Sequence, residues 1–106
     1  MTTLAMSPLA DLAAKAGEAC GLMRNLSNQQ RLLILCHLSS TPEMSVGALV
    51  ARMDLSQSAL SQHLARLRAD GLVEYRRDAQ TLYYRVSDPK VDRMLATLRD
   101  LFCPKL

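Results

Sequence analysis

The stretch DLSQSALSQHLARLRADG at residues 54–71 decides the fold, because it predicts one short helix with two unlike faces. Ser56 is suited to the N-cap, where its hydroxyl accepts a hydrogen bond from a free amide of the first turn. Gly71 is suited to the position just past the helix, because it readily takes the left-handed conformation that ends helices. Three leucines at helical spacing form one apolar stripe: Leu60, Leu64 and Leu67.

The opposite face of this helix is polar but uncharged, with small or amide side chains: Gln57, Ser58, Ser61, Gln62 and Ala65. A face that is only solvated usually carries Glu and Lys, whereas amides and hydroxyls can hydrogen-bond base edges in a major groove. We therefore predict a DNA-facing helix. Its predicted contacts to bases or phosphates are Gln57, Ser58, Ser61, Gln62 and His63, with Arg66 and Arg68 directed to phosphate or solvent.

The composition is that of a small, mildly basic chain. Its 106 residues give room for one domain, and its net charge of +3 is compatible with nucleic acid without being diagnostic of it. Apolar residues make up 49% of the chain, which suggests that some apolar surface meets a partner, such as a second copy. No apolar run approaches the roughly 18 residues that span a bilayer. The N-terminus lacks a basic signal-peptide region, so we expect a cytoplasmic protein.

The predicted elements follow the order α-α-α-α-β-β-α, a mainly α fold that matches a winged helix-turn-helix with flanking helices. After Gly71 the hydrophobic period changes from 3.6 to 2, which predicts a β-hairpin. The sequence predicts a helix over 8–26, a second that is capped by Ser27 or Asn28 and ends at Ser39, a third over 46–53 capped by Ser45, and a fourth over 55–71. The predicted strands are 72–77 and 81–86. Ser87-Asp88 caps the last helix, which runs from Pro89 to Cys103. The apolar segment 31–38 is expected to be nearly buried.

The hairpin supplies a second set of candidate DNA contacts. Arg76, Arg77 and Gln80 are predicted to reach a flanking minor groove or its phosphates. Three acids in the same region dilute this positive field: Asp70, Glu74 and Asp78. The alternative is that the arginines are surface charges that protect a strand edge.

Several runs of this chain resemble the ArsR/SmtB family of bacterial winged-helix repressors. The runs are MSVGAL (44–49), LSQSALSQHL (55–64), LR (67–68), DGLV (70–73) and TLYY (81–84). The chain is most similar to the persulfide- and redox-sensing branch, whose members share a cysteine in the second helix, here Cys36, and one at the end of the last helix, here Cys103. The resemblance implies one winged-helix domain over 1–106 that forms a homodimer through its first and last helices.

The same resemblance implies a repressor that binds an inverted-repeat operator in double-stranded DNA when it is reduced. It would release the operator when reactive sulfur species link Cys36 and Cys103 by a disulfide or polysulfide. Such chemistry is reasonable, because one thiolate can attack sulfane sulfur and a second can resolve the product. From the residues alone, other roles stay open: Cys36 as a core residue, Cys103 as a surface thiol, and Cys20 as a core or interface residue.

A metal site, a cofactor and an enzymatic function are not expected. Metal-binding family members use a Cys-x-Cys pattern in the third helix, and the matching positions here, Ser45 and Gly47, supply no thiolate. No cysteine has a CxxC partner or an obvious local base, which disfavours a thiol enzyme. The open alternatives are a transcriptional activator or anti-repressor with thiol redox modulation, a metal-sensing repressor, and a helical interaction module.

Overall fold

The computed structural model describes residues 8–104, which form six helices and one three-stranded sheet. The elements are α1 (Pro8–Ala14), α2 (Ala16–Leu26), α3 (Gln29–Ser39), β1 (Met44–Ser45), α4 (Val46–Arg52), α5 (Gln57–Ala69), β2 (Val73–Asp78), β3 (Thr81–Val86) and α6 (Pro89–Phe102). The predicted mainly helical, winged-helix class is confirmed. The outer ends of the predicted 1–106 domain, residues 1–7 and 105–106, lie outside the described residues. Within 8–104, no helix has the length and apolar character that crossing a membrane requires.

The prediction of a single first helix over 8–26 is wrong, because the chain breaks at Lys15 into α1 and α2. The Lys15 backbone leaves helical geometry at φ −107° and ψ 9°, while its amide donates to the carbonyls of Asp11 and Leu12 at 3.2 and 3.1 Å. No residue of α1 is buried. Burial therefore contributes little to holding the axis of α1 in line with that of α2.

The predicted helix caps are present in α3, α4, α5 and α6. Their side-chain oxygens accept backbone hydrogen bonds of 2.9–3.1 Å, and the capping residues are Asn28, Ser45, Ser56 and Asp88. Asn28, not Ser27, therefore caps α3. Gly71 follows α5 with a φ of 78°, the left-handed conformation that an L side chain rarely adopts.

The core lies between α3, α4, α5, α6 and the inner face of the sheet. Its fully buried large side chains are Ile34, Leu35, Leu38, Leu49, Leu60, Leu64, Leu67 and Val91. The expectation that 31–38 is nearly buried is correct for one face only, because Leu33 and Cys36 are exposed. So short a chain has too few elements to cover both sides of α3.

The sheet is antiparallel with strand order β1-β3-β2, and its β2–β3 hairpin is the wing. Tyr75 lies opposite Tyr84, and the two-residue turn of Ala79 and Gln80 joins the strands. Ala79 has a φ of 56°. The short strand β1 was not predicted, since two residues show no periodicity; it forms because Met44 pairs with Tyr84 along the other edge of β3.

Candidate nucleic-acid interface and cysteine pair

Helix α5 presents its polar face to solvent because its leucine stripe is held in the core. Leu60, Leu64 and Leu67 have no exposed surface. Four predicted base contacts on the other side are all exposed: Gln57, Ser58, Ser61 and Gln62. The Ser56 hydroxyl accepts the Ala59 amide at 3.1 Å and fixes where the helix begins. The result is a helix with an accessible, uncharged hydrogen-bonding face, preceded by the shorter α4.

The other predicted contacts on α5 differ from these four in environment. His63 is half-buried at the margin of the polar face. Arg66 is exposed, but its Nε donates to the Asp70 carboxylate at 3.1 Å. The Arg68 guanidinium lies 4.6 Å from the centre of the Tyr75 ring, a cation–π contact with β2. Contacts of these residues with DNA stay predictions.

Asp70, the C-cap residue of α5, joins this helix to α2. Its Oδ2 accepts a hydrogen bond of 2.9 Å from Nδ2 of Asn25, a residue only 3% exposed. The hydrogen bonds from Asn25 and Arg66 lower the pKa of the Asp70 carboxyl. In the sequence, Asp70 appears only as one of the acids that dilute the positive field near the hairpin, and nothing points to Asn25. No local pattern relates two residues that are 45 positions apart in the chain.

The wing holds one predicted DNA contact in an internal ion pair. Nε and Nη2 of Arg76 donate to the two carboxylate oxygens of Glu43 at 3.0 and 2.6 Å. The same guanidinium lies 4.4 Å from the centre of the Tyr83 ring. The hydrogen bond from Arg76 lowers the pKa of Glu43, and the bond to Glu43 raises the pKa of Arg76. No local pattern in the sequence points to Glu43, which lies just before β1.

The remaining predicted wing contacts are exposed. Arg77 and Gln80 lie on β2 and in the hairpin turn. Arg85 pairs with Glu74 at 3.1 Å, whereas none of the ion pairs within residues 8–104 involves Arg77. Arg77 is therefore the wing arginine whose charge is least compensated, and the one best placed to meet a phosphate.

The two predicted sensing cysteines both lie near Arg99 of α6. Cys36 on α3, Cys103 at the C-cap of α6, and Cys20 on α2 are all free and exposed. Although Cys36 is exposed as a residue, partial burial removes some water from its thiol and raises the pKa of that group. The positive charge of Arg99 on α6 acts in the opposite direction. The Cys103 amide donates to the Arg99 carbonyl at 2.7 Å. Arg99 thus lies one helical turn from Cys103 and close enough to Cys36 to influence its charge.

Packing of α3 on α6 underlies this arrangement. The Ser39 hydroxyl donates a hydrogen bond to the Asp92 carboxylate, which ties the end of α3 to the first half of α6. Val91 and Leu95 of α6 are buried in the same core as Ile34 and Leu38. In the part of the chain that the structure describes, no group of three or more His, Cys, Asp or Glu side chains is arranged to hold a metal ion.

Comparison with known proteins agrees with this architecture. Residues 28–75 match the family described as "Bacterial regulatory protein, arsR family". The HTH-type transcriptional regulator YgaV of Escherichia coli (strain K12) is 46% identical over 99 residues, covering 93% of this chain and 100% of that protein. This chain belongs to the ArsR family.

Other relatives extend the comparison to function and fold. The transcriptional activator HlyU of Vibrio cholerae is 46% identical over 95 residues, covering 90% of the ArsR-family chain and 87% of that protein. The crystal structure of the transcriptional repressor BigR from Xylella fastidiosa superposes with a TM-score of 0.86 at 34% identity, covering 92% of this chain and 98% of that one. The ArsR-family chain is therefore a DNA-binding transcriptional regulator with a winged helix, and not an enzyme.

Proposed function

We propose that this ArsR-family chain is a homodimeric repressor that binds an inverted-repeat operator and releases it when Cys36 and Cys103 become bridged. The observation that carries the DNA-binding part is the exposed, uncharged polar face of α5 opposite three fully buried leucines. In this arrangement the apolar contacts hold the helix, and the polar side chains stay free to hydrogen-bond base edges.

The proposed operator contacts divide into two groups. On α5, Gln57, Ser58, Ser61 and Gln62 read bases in the major groove, and His63 and Arg66 lie beside them for bases or phosphates. On the wing, Arg77 and Gln80 meet phosphates or the minor groove. Arg76 belongs to the same surface, but its bonds to Glu43 neutralise much of its charge.

The proposed homodimer uses the apolar residues that α1, α2 and α6 leave in solvent. The large exposed hydrophobic residues on these helices are Leu9, Leu12, Met23, Leu101 and Phe102. On α2, Gly17 and Gly21 have open space where a side chain would lie, so another helix can approach closely. A two-fold pairing of these surfaces would place two copies of α5 in successive major grooves about 34 Å apart.

The proposed switch is a balanced thiol reaction with an organic persulfide, RSSH. One cysteine thiolate attacks the outer sulfur of RSSH, forming a cysteine persulfide and releasing RSH. The other thiolate then attacks the inner sulfur of that persulfide, closing a disulfide and releasing hydrogen sulfide. If a second RSSH first extends the cysteine persulfide by one sulfur and releases RSH, attack of the other thiolate on the middle sulfur leaves a trisulfide and releases hydrogen sulfide. The protein is oxidised in either case, and the persulfide is reduced.

A bridge between the two cysteines would couple α3 to the end of α6, one of the proposed interface helices. A change in that interface would alter the spacing of the two copies of α5. Weakening operator binding 100-fold requires a difference of only about 2.7 kcal/mol between the reduced and bridged states. The influence of Arg99 on Cys36 and its position one turn from Cys103 support this pairing.

The test measures binding to a duplex selected from random sequence by the reduced wild-type protein. After treatment with an organic persulfide, we expect a loss of affinity that a reducing agent restores, and a mass spectrum that reports a disulfide or a sulfur-extended bridge. After the same treatment, Cys36→Ser and Cys103→Ser should remain bound to the duplex. Cys20→Ser, the matched control, should release it as wild type does. Normal release by Cys36→Ser would show that the switch is wrong.

The direction of regulation has a second candidate. One relative is named a transcriptional activator, HlyU, and another a repressor, BigR. A reporter gene placed behind the selected duplex distinguishes them, since a repressor lowers its expression and an activator or anti-repressor raises it.

A further inference from the structure

Asp70 lies where three helices meet at the end of α5. Its carboxylate accepts hydrogen bonds from Asn25 of α2 at 2.9 Å and from Arg66 of α5 at 3.1 Å, and it feels the positive charge of Arg31 on α3. A negative charge at a helix C-terminus is unfavourable with respect to the helix dipole. Within α5 only the pair with Arg66 favours an acid here, and the contacts with α2 and α3 add to it.

Asn25 makes this link directional. Among residues 8–104 it is the one buried residue with an amide or charged side chain, and its Nδ2 also donates to the carbonyl of Gly21 at 3.3 Å. The other side-chain contacts that hold α5 are those of three core leucines, which are apolar and non-directional, and the contact of Arg68 with the Tyr75 ring of β2. The hydrogen bond from Asn25 adds a directional contact between the C-terminal end of α5 and α2.

We propose that Asp70 is a positioning residue for DNA binding, which through Asn25 fixes the rotation of α5 relative to α2. The polar side chains of α5 then point in one direction, and operator affinity depends on a carboxylate that acts through the helix. This inference rests on the proposed operator contacts of α5, and it adds that α2 orients them.

The sign of the effect separates this role from general electrostatics. Removing an acid makes the protein more positive, which by itself strengthens binding to any DNA. A positioning role gives the opposite result for the selected duplex. Glu18 provides the matched control, because this exposed acid of α2 lines the same surface groove as Asn25 and Asp70 and pairs with Lys15 at 3.3 Å.

The experiment measures the affinity of Asp70→Ala, Asn25→Ala, the double variant and Glu18→Ala for the selected duplex and for a random duplex. We expect Asp70→Ala and Asn25→Ala each to lose roughly tenfold on the selected duplex, the range of one charge-assisted hydrogen bond, and nothing on the random duplex. The double variant should lose no more than either single one, because both remove the same link. Glu18→Ala should bind both duplexes as tightly as wild type or more tightly.

Three outcomes would overturn the inference. Asp70→Ala could bind the selected duplex as well as wild type, the loss could be equal on both duplexes as expected for general unfolding, or the two single losses could multiply in the double variant. A wild-type protein that selects no duplex would instead overturn the proposed operator contacts, and this inference with them.

Discussion

Arg76 and Glu43 form a bidentate ion pair that joins the wing to the segment before α4. The two closest nitrogen–oxygen distances are 2.6 and 3.0 Å, and Tyr83 lies under the guanidinium. The pair joins residues 33 positions apart in the chain. Arg76, which the sequence predicts to contact DNA, thus has a structural partner within the protein. Its substitution would therefore affect the fold as well as DNA binding.

The Glu43–Arg76 pair should stabilise the fold in a pH-dependent way. Because the pKa of Glu43 is lowered in the folded protein, its contribution is present above the ordinary Glu pKa and is lost as the pH falls through the lowered value. We expect Glu43→Gln to reduce the free energy of unfolding slightly at pH 7 and to match wild type in acid. Denaturant unfolding across this pH range checks it, with Glu74→Gln as the control for a singly bonded ion pair. A difference that persists in acid would contradict the prediction.

Arg77 and Arg76 should differ in the salt dependence of DNA binding. Each phosphate contact contributes about −0.9 to the slope of log affinity against log salt concentration. We expect Arg77→Gln to reduce the magnitude of the slope by roughly that amount, and Arg76→Gln to change it less, because Glu43 already neutralises Arg76. Binding titrations at several salt concentrations measure both slopes. Equal changes would show that Arg76 leaves Glu43 to contact DNA.

Gln62 should carry sequence discrimination. An amide that makes a bidentate contact to a base contributes about 1–3 kcal/mol against the wrong base. We expect Gln62→Ala to weaken binding to the selected duplex by about 5- to 150-fold and to leave the affinity for a random duplex unchanged. Thr97→Ala, an exposed polar substitution on α6, is the control. No loss with Gln62→Ala and Ser61→Ala together would show that other side chains discriminate between bases.

Cys36 should react more slowly than an unperturbed thiol near neutral pH. Partial burial of its thiol raises the pKa of Cys36, so a smaller fraction of the side chain is thiolate, the form that reacts. Arg99 lowers that pKa, and we therefore expect Arg99→Gln to slow alkylation of Cys36 further. Residue-resolved mass spectrometry after timed alkylation measures the rate. Arg93→Gln removes the same charge from the same helix and should leave the rate unchanged; an equal effect of both variants would assign the rate to net charge.

Phe102 should support the proposed homodimer. It is 77% exposed in one chain, beside the exposed Leu101, and its burial by a second copy would be favourable. We expect Phe102→Glu to shift the protein toward the monomer in sedimentation experiments while its helical circular dichroism is kept. Thr97→Glu introduces the same charge on the same helix and serves as the control. A Phe102→Glu protein that remains dimeric would place the interface elsewhere.

Local signals in the sequence were sufficient for most of the fold. The caps Asn28, Ser45, Ser56 and Asp88, the glycine that ends α5 and the change of period into the hairpin all act within a few residues. The same is true of the two faces of α5, because helical spacing alone separates the leucines from the polar residues. For these features, neighbours along the chain are also neighbours in space.

The sequence by itself determined the winged-helix class, the order of the helices and strands from α3 onward apart from β1, and the exposed polar face of α5. Only the tertiary structure decided that the first helix breaks at Lys15, that Cys36 lies on an uncovered side of α3, and that Arg76 is engaged by Glu43. It alone brought Asn25 to Asp70, 45 positions away. Such contacts depend on how helices and strands pack against one another, and no periodicity or cap within a single element records which distant side chain will be its partner.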